Sequence, residues 1–298
     1  MLALIMGLII PGLYIFLVDQ FHNKIIDRKD IEQGTTVPVI GFIGHNASKS
    51  EFPVVEKPGS SLSESFRSVR TNLKYYLNGE KKGVISVTST ISGEGKTFVS
   101  LNLAAVLSML GKKTLLVGLD LRKPRLNRLL DTSGGEGLSS FLIGEADFED
   151  IVCKTGVENL FFVPSGAIPP NPSELIESER MKIFIEMARK EYDYVVIDTP
   201  PVGVVSDALL LGGFADVNIF VIRQKFSFKS TLELIQNISD KDELKNLTIA
   251  VNDIHISGYY GYGLRYGYGF YQGYGYNYGY GQYGSYGKGD YIKYYSED

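Results

Sequence analysis

The 298-residue sequence predicts an α/β fold: one parallel sheet with helices on both faces, over roughly residues 58–256. Two observations predict it. Short, almost continuously apolar runs occur at Val84–Thr88, Thr114–Leu119, Leu160–Val163, Tyr194–Ile197, Val217–Ile222 and Leu247–Val251. Stretches of helical period lie among them, at Thr97–Leu110, Pro172–Lys190, Ser206–Phe214 and Lys229–Ile238. Strands that are apolar throughout belong to sheets buried on both faces, and alternation with helices is the pattern of parallel sheets.

Taken from the N-terminus, residues 1–18 (MLALIMGLIIPGLYIFLV) carry no charge. Roughly 18 apolar residues is the lower limit for a membrane-spanning helix. Lys24, Arg28 and Lys29 follow the run and nothing positive precedes it, which orients the rest of the chain toward the cytoplasm. A cleaved signal peptide fits poorly, because there is neither a basic leader nor a small-residue cleavage site. Residues 19–57 are polar apart from Val37–Ile43 and carry Pro38 and Pro53; they predict a juxtamembrane linker with little core of its own. Phe66, Val69, Leu73, Tyr76 and Leu77 recur at helical spacing after Ser63 and Glu64, so a helix opens the domain.

The tail, residues 257–298, is of another kind. From Gly258 to Asp298 there are 15 Tyr and 12 Gly in 41 residues, too little aliphatic surface to offset the entropy of ordering, so disorder is expected. The net charge of -4 and pI near 5.6 give no support for nucleic-acid binding. The single cysteine, Cys153, excludes an internal disulfide and a cysteine-based zinc site, and suits a reducing compartment.

Three strand ends carry the chemistry. The first apolar run leads through TSTISGEGKT (88–97) into a helix. A strand, a glycine-rich turn and a helix N-terminus cradle phosphate with backbone N–H groups and the helix dipole. Ser92, Gly93, Glu94, Gly95, Lys96, Thr97 and Phe98 make up the nucleotide-binding segment, with Lys96 on the β- and γ-phosphates and the Thr97 hydroxyl on Mg²⁺. The strict motif has glycine at position 90, where this chain has Thr90. The second strand end is LLVGLDLRKP (115–124), which brings Asp120 to the carboxyl edge of the sheet, and the third is YVVIDTPPVG (194–203), which brings Asp198 there. Ligands of open α/β sheets bind at that edge, and an aspartate on a buried strand is the usual holder of Mg²⁺ in P-loop NTPases. Asn252, ending the last strand, is a candidate for the adenine base, with a satisfied strand-end amide as the competing reading.

These residues resemble the bacterial tyrosine kinases of capsule and exopolysaccharide export, the cytoplasmic half of a polysaccharide co-polymerase. The resemblance rests on the P-loop, on Asp120-Leu121-Arg122, on residues 195–200 and on Glu64-x-x-Arg67-x-x-Arg70. It implies ATP and Mg²⁺ as ligands, with Lys96, Asp120 and Asp198 catalytic and Thr97, Asp120 and Asp198 at the metal. It implies autophosphorylation of a tail cluster: Tyr259, Tyr260, Tyr262, Tyr266, Tyr268, Tyr271, Tyr274, Tyr276, Tyr278, Tyr280, Tyr283, Tyr286, Tyr291, Tyr294 and Tyr295. It further implies ring-like homo-oligomers joined through Glu64, Arg67 and Arg70, residence at the bacterial inner membrane, and partners in a co-polymerase subunit, the polysaccharide polymerase and export machinery and a phosphotyrosine phosphatase.

The sequence departs from that family in two ways. The family's second motif is D-x-D-x-R, but Gly118 stands at its first aspartate. The chain also begins inside what would be the family's second membrane helix, so a fragment of a longer product or a kinase with a separate membrane subunit is expected. A non-catalytic, ATP-binding co-polymerase subunit is the alternative. Partition and septum-site ATPases are the nearest rivals within the fold; their signature lysine would fall at Ile91. Taken alone, the Tyr/Gly tail reads as a self-associating low-complexity segment; beside an ATP site it reads as substrate.

Overall fold

A computed structural model describes residues 23–255 apart from positions 49, 78, 81, 122, 133–134 and 204–206. The expected membrane segment at 1–18 and the tail at 257–298 lie outside the described residues. Among the described residues no helix is long and apolar enough to cross a membrane.

The strands are β1 (Val39–Gly44), β2 (Gly83–Ser89), β3 (Thr114–Gly118), β4 (Cys153–Lys154), β5 (Leu160–Val163), β6 (Tyr194–Asp198), β7 (Val217–Arg223) and β8 (Leu247–Ile254). They form one sheet in the order β1-β8-β7-β2-β6-β3-β5-β4. Every pairing is parallel except that of the short edge strand β4 with β5. All six predicted strands are present within a residue or two of their expected ends, except β8, which runs on to Ile254.

Successive strand side chains point to opposite faces, and the core divides accordingly. Ile219 and Val221 of β7 join one cluster with Phe66, Val69 and Leu73 of α3 (Ser61–Tyr76) and Val99 and Leu103 of α4 (Lys96–Ser108). Phe220 and Ile222 join another with Leu232 and Ile235 of α10 (Ser230–Asp240). Leu115 and Val117 of β3 meet Met181, Phe184 and Ile185 of α8 (Glu179–Glu191). The sheet is thus covered on both faces.

The expected linker at 19–57 is corrected from residue 23 onward. Helix α1 (Arg28–Gly34) is opened by a capping box between Asp27 and Asp30, and β1 pairs in parallel with β8 as an edge strand. Ile25, Ile31, Val37, Ile40 and Ile43 are buried. The strand is short and holds Gly41, where a Cβ would come within 2.5 Å of Val69 Cγ2; the glycine that weakens its strand signature lets α3 pack on it. The remaining short helices are α2 (Pro53–Glu56), α5 (Arg125–Leu129), α6 (Leu138–Ile143) and α9 (Asp207–Gly212). The helix expected over Pro172–Lys190 is two, α7 (Pro172–Glu177) and α8, because Ser178 turns extended and caps α8 through Met181 N.

Candidate active site

Sheet order builds the site. Neighbours β2, β6 and β3 run in register, with Asp198 opposite both Val87 and Gly118. Their carboxyl ends therefore deliver the phosphate loop, Asp198 and Asp120 to one edge. The loop leaves β2 and enters α4 through Gly95, and both Gly93 and Gly95 have φ of +99°, a region that suits glycine. Without Cβ atoms, these two residues present bare backbone to the cleft they line.

At the start of α4, Lys96 Nζ lies 3.1 Å from Asp120 Oδ2 and 3.4 Å from Asp198 Oδ1. The Thr97 hydroxyl donates to Asp198 Oδ2 at 2.8 Å. Ser100, one turn along α4, sits 3.3 Å from Asp198 Oδ1. All these groups are buried. Burial pushes the Asp198 carboxyl above its ordinary range and Asp120 adds to the rise, while Lys96 and Thr97 pull it down without cancelling it. Two carboxyl groups face one ammonium. The cluster's hydroxyl and carboxylate oxygens are the donor set that a hard divalent cation takes, and Lys96 with the glycine loop is the donor set for phosphate. The residues present fit Mg-ATP.

The cleft in front of the cluster measures about 1170 Å³. Ser92, Gly93, Gly95, Lys96, Thr97, Phe98 and Asp120 all line it. Lys123, Arg125 and Arg128 also line it; their signal in the sequence is the basic run that follows Asp120. A smaller cavity of about 290 Å³ lies at the opposite edge of the sheet, beside Gly83, Asp193 and Asp216.

A family model described as an AAA domain matches residues 82–251. Tyrosine-protein kinase CpsD of Streptococcus agalactiae is 34% identical over 215 residues, covering 70% of this chain and 93% of that protein. The chain belongs to the bacterial tyrosine kinase family. Tyrosine-protein kinase wzc of Salmonella typhi is 35% identical over 217 residues, which are 72% of this chain and only 30% of that longer protein. The crystal structure of the chimerical protein CapA2B2 superposes with a TM-score of 0.70 at 33% identity, covering 75% of this chain and 97% of that one.

The side chains of Glu94 and Asn252 are engaged within the protein. Glu94 is fully buried beneath the loop, where its carboxylate accepts the Thr90 and Ile91 N–H groups at 2.7 and 2.9 Å and the Ser227 hydroxyl. Asn252 is buried at the end of β8. Its amide donates to Glu94 O at 3.0 Å, so it props the loop, and the strand-end reading is the one the geometry favours. On α3, Arg67 pairs with Glu64 at the surface. Arg70 instead turns inward and donates to Val106 O in the last turn of α4 at 2.9 Å. The tail tyrosines lie outside the described residues.

Proposed function

We propose that the chain transfers the γ-phosphoryl group of ATP to tyrosines of its own tail, between residues 259 and 295. The observation that carries this is the meeting of Lys96, Thr97, Asp120 and Asp198 in one buried cluster at the mouth of a glycine-rich phosphate loop. A phenol oxygen attacks the γ-phosphorus, the bond to the β,γ-bridging oxygen breaks, and ADP leaves with that electron pair. The phenolic proton passes to Asp120, the carboxylate of the cluster that lines the cleft. Lys96 and the loop amides hold the phosphates in line, the positioning and charge neutralisation on which phosphoryl transfer chiefly depends. Thr97, Asp120 and Asp198 would hold Mg²⁺, which when bound supplies positive charge against the phosphate oxygens.

Residues 1–18 anchor the chain in the bacterial inner membrane in this reading, with the kinase domain in the cytoplasm; the uncharged run and the cations after it support that orientation. Glycine between the tyrosines lets a neighbouring subunit's cleft take them in many registers. Each phosphate adds about -1.5 to -2 charge, so accumulated modification would loosen a ring held through α3 and thereby regulate capsule or exopolysaccharide polymerisation beside a co-polymerase subunit.

Gly118 favours a second reading, a non-catalytic subunit that uses ATP as a conformational ligand. Purified full-length chain incubated with Mg-ATP separates the two. Phosphotyrosine on peptides from residues 259–295, lost in Lys96→Ala, is the expected result. Undiminished phosphotyrosine in that variant would sink the assignment; phosphate release without phosphotyrosine indicates an ATPase, and neither product indicates the ligand-gated subunit.

A further inference from the structure

A second constellation lies at the same sheet edge, outside the cluster just described. Strands β1 and β8 end side by side, with Gly44 paired to Ile254 and His45 N donating to Ile254 O at 2.9 Å. The next residues bring two imidazoles together: the rings of His45 and His255 are 4.1 Å apart, centroid to centroid, inclined at 28°. Both converge on one carboxylate oxygen. His45 Nδ1 is 2.5 Å and His255 Nε2 3.5 Å from Asp253 Oδ1. Asp253 reaches them from a backbone with φ of +62°, a conformation that aspartate tolerates better than most residues.

The other oxygen of Asp253 is held separately. Arg223 Nε and Nη2 both donate to Oδ2 at 2.8 Å, and Arg223 Nη1 donates to the phosphate-loop carbonyl of Gly93 at 3.0 Å. Burial pushes the Asp253 carboxyl up, but the His45 and Arg223 bonds outweigh it and the net shift is downward. Oδ1 is thereby left turned to the two histidines.

We propose that His45, Asp253 and His255 bind a borderline divalent transition ion, Zn²⁺ in the first instance, at a site distinct from the nucleotide cleft. The three ligand atoms lie within 4.8 Å of one another. Zinc–nitrogen bonds of about 2.0–2.1 Å place tetrahedral ligands roughly 3.3 Å apart; the His255 contact already matches, and the His45 contact opens by under about 1 Å. Two imidazoles and one carboxylate suit zinc, cobalt or nickel rather than magnesium. The histidine side chains are 45% and 43% exposed, so water completes the shell. Arg223 plays the outer partner that fixes a ligating carboxylate. The ion would tie the end of β1 to the end of β8, where the chain leads toward its tyrosine-rich segment, and Arg223 would link it to the phosphate loop.

The test is a titration of the full chain, carrying no polyhistidine tag, with Co²⁺ and then Zn²⁺ in excess Mg²⁺. One equivalent of Co²⁺ with visible d–d absorption, displaced by Zn²⁺, is expected. His45→Ala and His255→Ala should each weaken binding by at least about tenfold, and Arg223→Gln by about 10- to 100-fold. Circular dichroism of the metal-free variants checks that they fold, and His45→Gln and His255→Gln serve where the alanine variants do not. The proposal is overturned if no saturable Co²⁺ site is found, if both histidine substitutions leave binding unchanged, or if Asp120→Asn abolishes it while they do not.

Discussion

Gly95→Ala and Gly93→Ala separate backbone strain from support of the phosphate loop. Both glycines have φ of +99°, where a residue with a Cβ costs about 1–3 kcal/mol. Their surroundings differ. A Cβ on Gly93 would meet the tip of the Phe226 ring at 3.1 Å, a side-chain end that can give a few tenths of an ångström, whereas a Cβ on Gly95 would fall 2.0 Å from Asn252 Nδ2. Asn252 would have to move, which breaks its bond to Glu94 O and leaves buried polar groups unpaired at about 1–3 kcal/mol. Gly95→Ala should therefore cost about 2–6 kcal/mol in all, with an excess over Gly93→Ala of about 1–3 kcal/mol. At about 2–4 °C per kcal/mol for a domain of this size, that excess is roughly 2–12 °C in Tm. Thermal unfolding of the two variants measures it. A double-mutant cycle with Asn252→Ala should show coupling of about 0.5–3 kcal/mol, since the sites touch. Equal losses for the two glycine variants, or additivity with Asn252→Ala, would refute the claim that Asn252 supports the loop.

Four further outcomes follow from the geometry. Lys96→Ala removes the cation from two buried carboxylates and should cost about 3–5 kcal/mol of stability as well as activity, so its phosphorylation assay needs a paired unfolding measurement. The Glu94 carboxyl, ordinarily near 4.5, is pushed up by burial despite its hydrogen bonds; the folded state then holds the proton to higher pH than the unfolded chain, and the stability this contributes is full below about pH 4.5 and lost as pH rises through the folded value. Glu94→Gln keeps an acceptor for Thr90 and Ile91, so its urea midpoint should fall less than the wild type's as pH rises above about 4.5; parallel curves count against the assignment. Arg70→Ala should destabilise by about 1.5–3 kcal/mol through the lost bond to Val106 O and Arg67→Ala by no more than about 1 kcal/mol, so a smaller oligomer in Arg67→Ala with unchanged Tm separates contact from folding. Gly118→Asp places a Cβ in ordinary contact, 3.6 Å from Phe162 Cε2 and Val163 O; the initial rate of tail phosphorylation should rise, within the roughly 10²–10⁴-fold ceiling of a positioned base, and an unchanged rate shows that Asp120 needs no helper.

The central strands were legible because burial on both faces makes them apolar at every position, as in Val217–Ile222. Strand β1 was not, because its six residues include two glycines and its partner β8 is some 200 residues away. The division of α7 from α8 was hidden for a related reason: the apolar period runs on through Ser178, and only the backbone shows the turn. The same contrast holds at the site. Lys96, Thr97, Asp120 and Asp198 were legible because strand ends of a parallel sheet share an edge. What a side chain does there is a matter of direction, which spacing does not encode. Asn252 and Glu94 sit at the right addresses but point beneath the loop, and Arg70 lies on a helix face that reads as solvated yet reaches the α4 carbonyl. His45 and Asp253 are 208 positions apart, beyond any local pattern.

The loop is therefore held from below by an assembly separate from the groups that line the cleft. Glu94 takes two loop N–H groups, Asn252 takes the Glu94 carbonyl, and Arg223 takes the Gly93 carbonyl. Asn252 and Arg223 stand opposite each other at the paired ends of β8 and β7, so this support comes from the flank of the sheet nearer β1, whereas Asp198 and Asp120 come from β6 and just beyond β3 on the other flank. The loop on β2 lies between the two. Substitutions on the β7–β8 side should act through loop stability and nucleotide affinity together, and those on the β6–β3 side through phosphoryl transfer. That separation gives Gly118 its weight: it lies opposite Asp198 in register, on the flank where, in the proposed reaction, a missing carboxylate would alter phosphoryl transfer without loosening the loop's support from β7 and β8.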